Sequence, residues 1–492
     1  MDLADYRERA ESFLEQIDRE YYLHLSGQKP ELELEPIYER NAGLFSRDSV
    51  EALRELASSV DGEERRGLGY LLHFALDGLL GEATRAEAEE SARLEATLEV
   101  TVDGSAVPYR QVPVEQANEP DSSRREALEQ ASKSLLAERL NPIYRQALER
   151  SHSICHELGW SSYTNAYADL RGLDFDRLAQ QTAAVLERTE QRYAPAVDPE
   201  LQRAGLPPLG ELRRPDIPRF FRAPELDAGF PADDLVSSFA RTVSGLGIDL
   251  DAQPNVHLDT EPRATKSPRA FCSPLKVPDE VYLVIAPVGG REDYAALFHE
   301  GGHTEHYAHV DAELPFEYRY LGDNAVTESF AFLFDGLTED AEWLRAMVAA
   351  DPEPVISHAH AVELIMLRRY CAKFAYEREL HGPDAELDEM PQRYAERLSG
   401  ATRVVWPREN WVSDVDEGFY VVCYLRAWAL EAMWRRALRE RFDSSWFEHR
   451  EAGEWLRDLW SKGQRLSAEE LVSEAIGEEL SFEPLIAELS GA

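Results

Sequence analysis

Residues 295–306 read Ala-Ala-Leu-Phe-His-Glu-Gly-Gly-His-Thr-Glu-His, and no other stretch constrains the fold as tightly. Side chains four apart on an α-helix lie on one face, one turn above the other. His299 and His303 can therefore aim ring nitrogens at a single ion if this stretch is helical. The flanks agree: Ala295, Ala296, Leu297 and Phe298 form an apolar lead-in, Asp293 can cap the start, and no proline intervenes before Pro315. Neutral imidazole is a good zinc ligand, and two of them leave room for a third ligand and a water. Glu300, one position round from the first histidine, reaches that water without displacing it. This is the arrangement of a zinc hydrolase with Glu300 as general base. Gly301 and Gly302 are discordant, since a mid-helix glycine costs about 1 kcal/mol against alanine. They read either as a helix break or as room for something packed closely against the helix.

A third ligand is then required. Gly322 to Asp335 reads as a capped, mostly apolar helix with Glu328 in its middle. A lone buried carboxylate is expensive unless it is paired or bound to a metal, so Glu328 is the expected third ligand of one zinc ion per chain. Asp335 stands seven residues on, on the same face, where it can support the ligands from behind.

On these residues the chain resembles the thimet oligopeptidase and oligoendopeptidase F family of zinc peptidases. His299-Glu300-x-Gly302-His303-x-x-His306, with Glu328 downstream, carries the likeness, and Lys266 to Ser273 is similar to the family's segment before its zinc helix. The resemblance implies zinc at His299, His303 and Glu328, Glu300 as base, and supporting roles for His306 and Asp335. It also implies a zincin-like catalytic region in a large, mainly α shell around a deep channel, with one small β-sheet near the active site. Short unfolded peptides are the implied substrates. A second stretch, Asp414 to Trp428, is similar to the family's Gly-Tyr-rich helix, and gives Tyr420 and Tyr424 as phenolic donors to the oxyanion and Arg426 as a substrate-binding cation. The chain departs from the family at Phe330 and Ala331, where Pro and Ser are usual, and at Ala325, where an acid is common. It also lacks the histidine before Gly418, with Asp414 nearby instead.

Two further readings stay open. The same site could act as a carboxypeptidase or dipeptidase, as in the angiotensin-converting enzyme type, with Arg426 or Arg269 taking a free carboxylate. The departures could instead mark a non-catalytic zinc- or peptide-binding scaffold. Intact His299, Glu300 and His303 weigh against that, because the base has no role in a purely structural zinc site.

The formal net charge of -41 repels phosphate backbones and anionic lipid, so nucleic acid and membrane surfaces are not expected partners. Cys155, Cys272, Cys371 and Cys423 are widely spaced with no Cys-x-x-Cys, which fits reduced core thiols and a cytoplasmic location. No apolar run approaches the roughly 20 residues that span a bilayer.

The 492 residues divide in expectation into a helical subdomain, 1–250, and a catalytic subdomain, 251–492. The first carries a hairpin, Ala96 to Val102 against Ala106 to Val112, turning at Asp103-Gly104. Pro195 to Pro231, dense in proline and glycine, reads as a long ordered loop. Val281 to Ile285 is the clearest strand, either purely structural or offering its edge to an extended peptide.

Overall fold

The computed structural model describes residues 1–348 and 351–490, and they form a mainly helical protein with two small sheets. Along the chain run α1 (Leu3–Leu25), strands β1 (Glu99–Val102) and β2 (Ser105–Pro108), α2 (Phe175–Arg203) and α3 (Ala232–Gly245). There follow β3 (Val256–Asp259), β4 (Phe271–Lys276), β5 (Glu280–Val284), α4 (Arg291–Ala308), α5 (Phe316–Tyr320) and α6 (Asn324–Asp335). Later come α7 (Pro352–Leu380), α8 (Val421–Phe442) and α9 (Ala468–Ile476), with shorter helices between. Among the described residues no helix is long and apolar enough to cross a membrane.

The chain does not divide at one point near residue 250. One compact unit gathers Met1–Leu76, Pro224–Ile356 and Cys423–Leu485; the other gathers Asp77–Ala223, Ser357–Val422 and the residues from Ile486 on. The first unit's core explains why a single cut fails. Phe239, Phe298, Phe334 and Trp343 are buried together with Trp434, Trp446 and Trp460. The apolar faces of α3, α4 and α6 therefore need side chains from the last third of the chain to leave water.

In the first unit, β3, β5 and β4 form a sheet in that order, β3 parallel and β4 antiparallel to β5. The strand read as either purely structural or offering an edge is thus the central one, hydrogen-bonded on both sides. Its near-continuous apolar run, with Val281, Leu283 and Val284 fully buried, is the signature of that position. The strand beside the candidate site is β4, whose Pro274 marks an edge.

In the second unit the hairpin forms with Asp103-Gly104 as its two-residue turn, both at positive φ (51° and 76°). Its second strand stops at Pro108, and Val112 instead opens a helix (Val112–Asn118) with Pro113 in its first turn. The expected loop from Pro195 is also corrected: α2 continues through Pro195 and Pro199 to Arg203. An interior proline costs about 3 kcal/mol or more. Here Tyr193, Val197 and Leu201 form a fully buried stripe at helical spacing, each contributing roughly 1.5–3 kcal/mol, and burial wins. All four cysteines are free thiols, Cys155, Cys371 and Cys423 buried and Cys272 partly so.

Candidate metal centre

The site is built where α4 crosses α6, and the two glycines of α4 set how closely. A Cβ on Gly302 would stand 2.7 Å from Ala331 Cα, and one on Gly301 would stand 2.3 Å from the Phe239 ring in α3. Gly302 lets the backbones of α4 and α6 meet, and Gly301, about 100° further round the helix, makes room for the Phe239 ring of α3. The helix runs unbroken through both, so close packing is the reading that holds.

That approach brings three donors to one point. Glu328 Oε2 lies 3.6 Å from His299 Nε2 and 3.7 Å from His303 Nε2. Two metal–ligand bonds of about 2.0–2.1 Å at a tetrahedral angle put their donor atoms about 3.4 Å apart, so the spacing fits a shared ion better than direct hydrogen bonds. Among the described residues, His299, His303 and Glu328 are a group that could hold a metal ion. Burial pushes the His299 imidazole down to about 4 and His303 well below its usual range, so both rings are neutral, as ligation requires. Glu328 is 6% exposed, in a helix whose neighbours Val326, Phe330 and Leu333 are buried.

Glu300 projects toward β4, where its Oε2 accepts a 2.8 Å hydrogen bond from the Cys272 amide. Burial, with the Glu328 carboxylate nearby, pushes it up to about 7, and the Cys272 amide pulls the other way. A carboxyl poised there can take or give a proton near neutrality.

Around the donors, Asp335 Oδ2 lies 3.8 Å from His299 Nδ1, on the side of the ring away from Glu328. Thr327 Oγ1 lies 2.8 Å from His303 Nδ1. His306 is completely buried, packed on Phe330 and Tyr307, and burial pushes it down to about 3, so it too is neutral.

The residues drawn from the Gly-Tyr stretch separate. Tyr424 belongs to the first unit, its ring 6.2 Å from Phe332, which in turn stands 5.5 Å from the His299 ring. Tyr420 belongs to the second unit, following Gly418 and Phe419, both left-handed (φ 60° and 56°). Gly418 is pinned there: its amide donates to Tyr163 Oη, and its carbonyl accepts from Arg171.

Arg426 needs correction as a substrate-binding cation. It is 2% exposed, and its guanidinium binds Asp323 through both Nη atoms (2.9 and 2.6 Å) and Glu469 through Nε (2.9 Å). Asp323 caps α6 through the Ala325 amide and also accepts from the Ala468 amide of α9. Arg426 therefore anchors the helix that carries Glu328, and it has no free face for a peptide terminus.

Sequence reasoning missed Cys272, Thr327, Phe332 and Tyr307 as neighbours of the site. Thr327 left a trace as a hydroxyl beside Glu328 in an apolar helix, and Cys272 lies in the Lys266 to Ser273 segment without standing out there. No family model matches this chain, and none of the curated proteins compared with it is similar.

Proposed function

We propose that this protein is a zinc-dependent peptidase acting on short peptides. The observation that carries the reading is the convergence of His299, His303 and Glu328 with a fourth group, Glu300, beside them and tied to the β4 edge. Three protein ligands plus an adjacent, half-buried carboxyl is the donor set of a catalytic zinc site, which keeps one position open. Two neutral imidazoles and one glutamate carboxylate are one of the ligand sets that catalytic zinc uses.

Zinc in such a site lowers the pKa of a water to about 7 and polarises a carbonyl. The chain's own part is to move and place protons. Glu300 Oε1, the carboxylate oxygen not held by Cys272, takes a proton from the attacking water and returns it to the departing amine. The hydrogen bond from the Cys272 amide fixes the rotamer that makes both transfers possible, so little orientation remains to be found at each turnover. Phenolic donation to the developing oxyanion is assigned to Tyr424, which belongs to the same unit as the metal group. The zincin-like channel and the oligoendopeptidase likeness belong to this proposal as well.

The test is hydrolysis of a peptide library by zinc-loaded and chelator-treated protein. Cleavage restricted to the loaded form supports the reading; equal cleavage by both, or none by either, removes it.

Removal of a C-terminal residue or dipeptide is a second reading, favoured by one observation. Arg269 is exposed just before β4, the strand whose Cys272 amide holds Glu300. Peptides with amidated and free C-termini separate the two, since a terminal exopeptidase cleaves the free form alone.

A further inference from the structure

The two imidazoles of the metal group are supported by different chemistry. Behind His299 the Asp335 carboxylate stands at 3.8 Å, beyond hydrogen-bond range. Behind His303 a neutral hydroxyl, Thr327 Oγ1, stands at 2.8 Å from Nδ1. Thr327 is 3% exposed and immediately precedes Glu328, so one turn of α6 supplies both a donor atom and the partner of a second donor.

The tautomer follows from the geometry. Nε2 of His303 faces Glu328 and must keep its lone pair to serve as a ligand, so the proton sits on Nδ1 and is donated to Thr327. The hydroxyl's own proton is then available to a further acceptor. The Thr327 hydroxyl opposes the burial that pushes up the phenol of Tyr307, one turn beyond His303 on α4. The Tyr307 ring stacks on His303 at 6.3 Å and on Tyr320 at 6.2 Å, and the Tyr320 hydroxyl donates to Asp18 of α1. A neutral hydroxyl, flanked by stacked tyrosine rings, thus backs His303, where a carboxylate or carbonyl is the commoner arrangement.

We propose that Thr327, backed by Tyr307, is a positioning residue that fixes the Nδ1–H tautomer of His303 and so holds its Nε2 ready for a divalent cation. The inference rests on the metal-site reading given above. A hydroxyl is a weaker acceptor than a carboxylate and leaves the imidazole less basic.

The test compares the parent protein with Thr327→Val, Thr327→Ser and Tyr307→Phe. It measures Zn²⁺ affinity by chelator competition, the visible absorption of the Co²⁺ form, and melting of the metal-free protein. Thr327→Val keeps the side-chain shape and removes the acceptor. It should weaken Zn²⁺ binding by about 10–100-fold and alter the Co²⁺ bands, with little change in metal-free melting. Thr327→Ser should bind within about threefold of the parent, and Tyr307→Phe should fall between. Parental affinity and spectrum in Thr327→Val would overturn the inference while leaving the metal site intact. So would a loss in Thr327→Val that the serine does not rescue, or one matched by an equal fall in metal-free stability. Failure of the parent to bind either ion, or binding untouched by His299→Ala, would overturn the site reading and this inference with it.

Discussion

The carbonyl oxygen of Phe330 lies 2.6 Å from the point that a Cβ on Gly302 would occupy. Neither backbone can yield there, because both belong to helices whose positions set the distance between the imidazoles and Glu328. Gly302→Ala is expected to destabilise the protein by about 1–3 kcal/mol and to weaken metal binding. Helix propensity alone favours alanine by about 1 kcal/mol, so the sign of the change decides between packing and propensity. Urea denaturation of the metal-free form reads it, and a gain in stability would exclude the close approach.

Glu300→Gln should retain the metal and lose turnover by about 10²–10⁴-fold. Metal content by elemental analysis and kcat on a cleaved peptide are the two measurements. In the metal-free protein burial pushes this carboxyl up to about 7, and a divalent cation beside it pulls the value down. The acid limb of kcat/KM in the loaded enzyme should therefore lie below pH 7, and it should be missing from the residual activity of the glutamine variant. Full activity in Glu300→Gln would refute the assigned role.

Arg426→Met should be among the most damaging single changes. It leaves Asp323 buried without its cation, and breaking one side of such a pair costs roughly 3–5 kcal/mol. If Arg426 anchors α6, the ratio of KM values for free and amidated peptides will not move in whatever protein folds. A selective rise in KM for free termini would return Arg426 to substrate binding.

Asp18 gives a pH-dependent signature. Burial pushes its carboxyl up to about 6 against an ordinary 3.8, opposed in part by the hydrogen bond from Tyr320. The folded state thus binds more protons than the unfolded state between those values. The stability gained from the neutral acid is complete below about pH 4 and is lost as pH rises through 6. Asp18→Asn keeps an acceptor for Tyr320 and removes the charge. It should be more stable than the parent by about 1–3 kcal/mol at pH 7, with the difference vanishing near pH 4. Chemical denaturation at the two pH values decides it, and an equal difference at both would exclude burial of the charge as the cause.

What could be read from the residues was the chemistry that burial makes unusual. A carboxylate amid Val326, Phe330 and Leu333 stands out whatever the fold, and so does a pair of glycines in a helix that must also carry two ligands. Pairings between distant segments were illegible for a physical reason. Arg426 looked available because Asp323 and Glu469, the charges that consume it, lie 103 and 43 residues away. The expected loop at Pro195 failed similarly, since local propensity argues for a break and only the burial of Val197 and Leu201 overrides it. The interleaving of the two units has the same origin: Trp434 and Trp460 complete a core that earlier segments begin.

The tie from Asp323 to Arg426 and Glu469 has a consequence for anyone who would borrow this centre. A fragment ending before Arg426 carries every donor atom yet lacks the anchor that aims one of them. The ion's cradle is accordingly not a cassette that can be lifted out and grafted elsewhere. A scaffold receiving residues 291–335 would have to bring an interior cation of its own before the transplanted carboxylate found its direction.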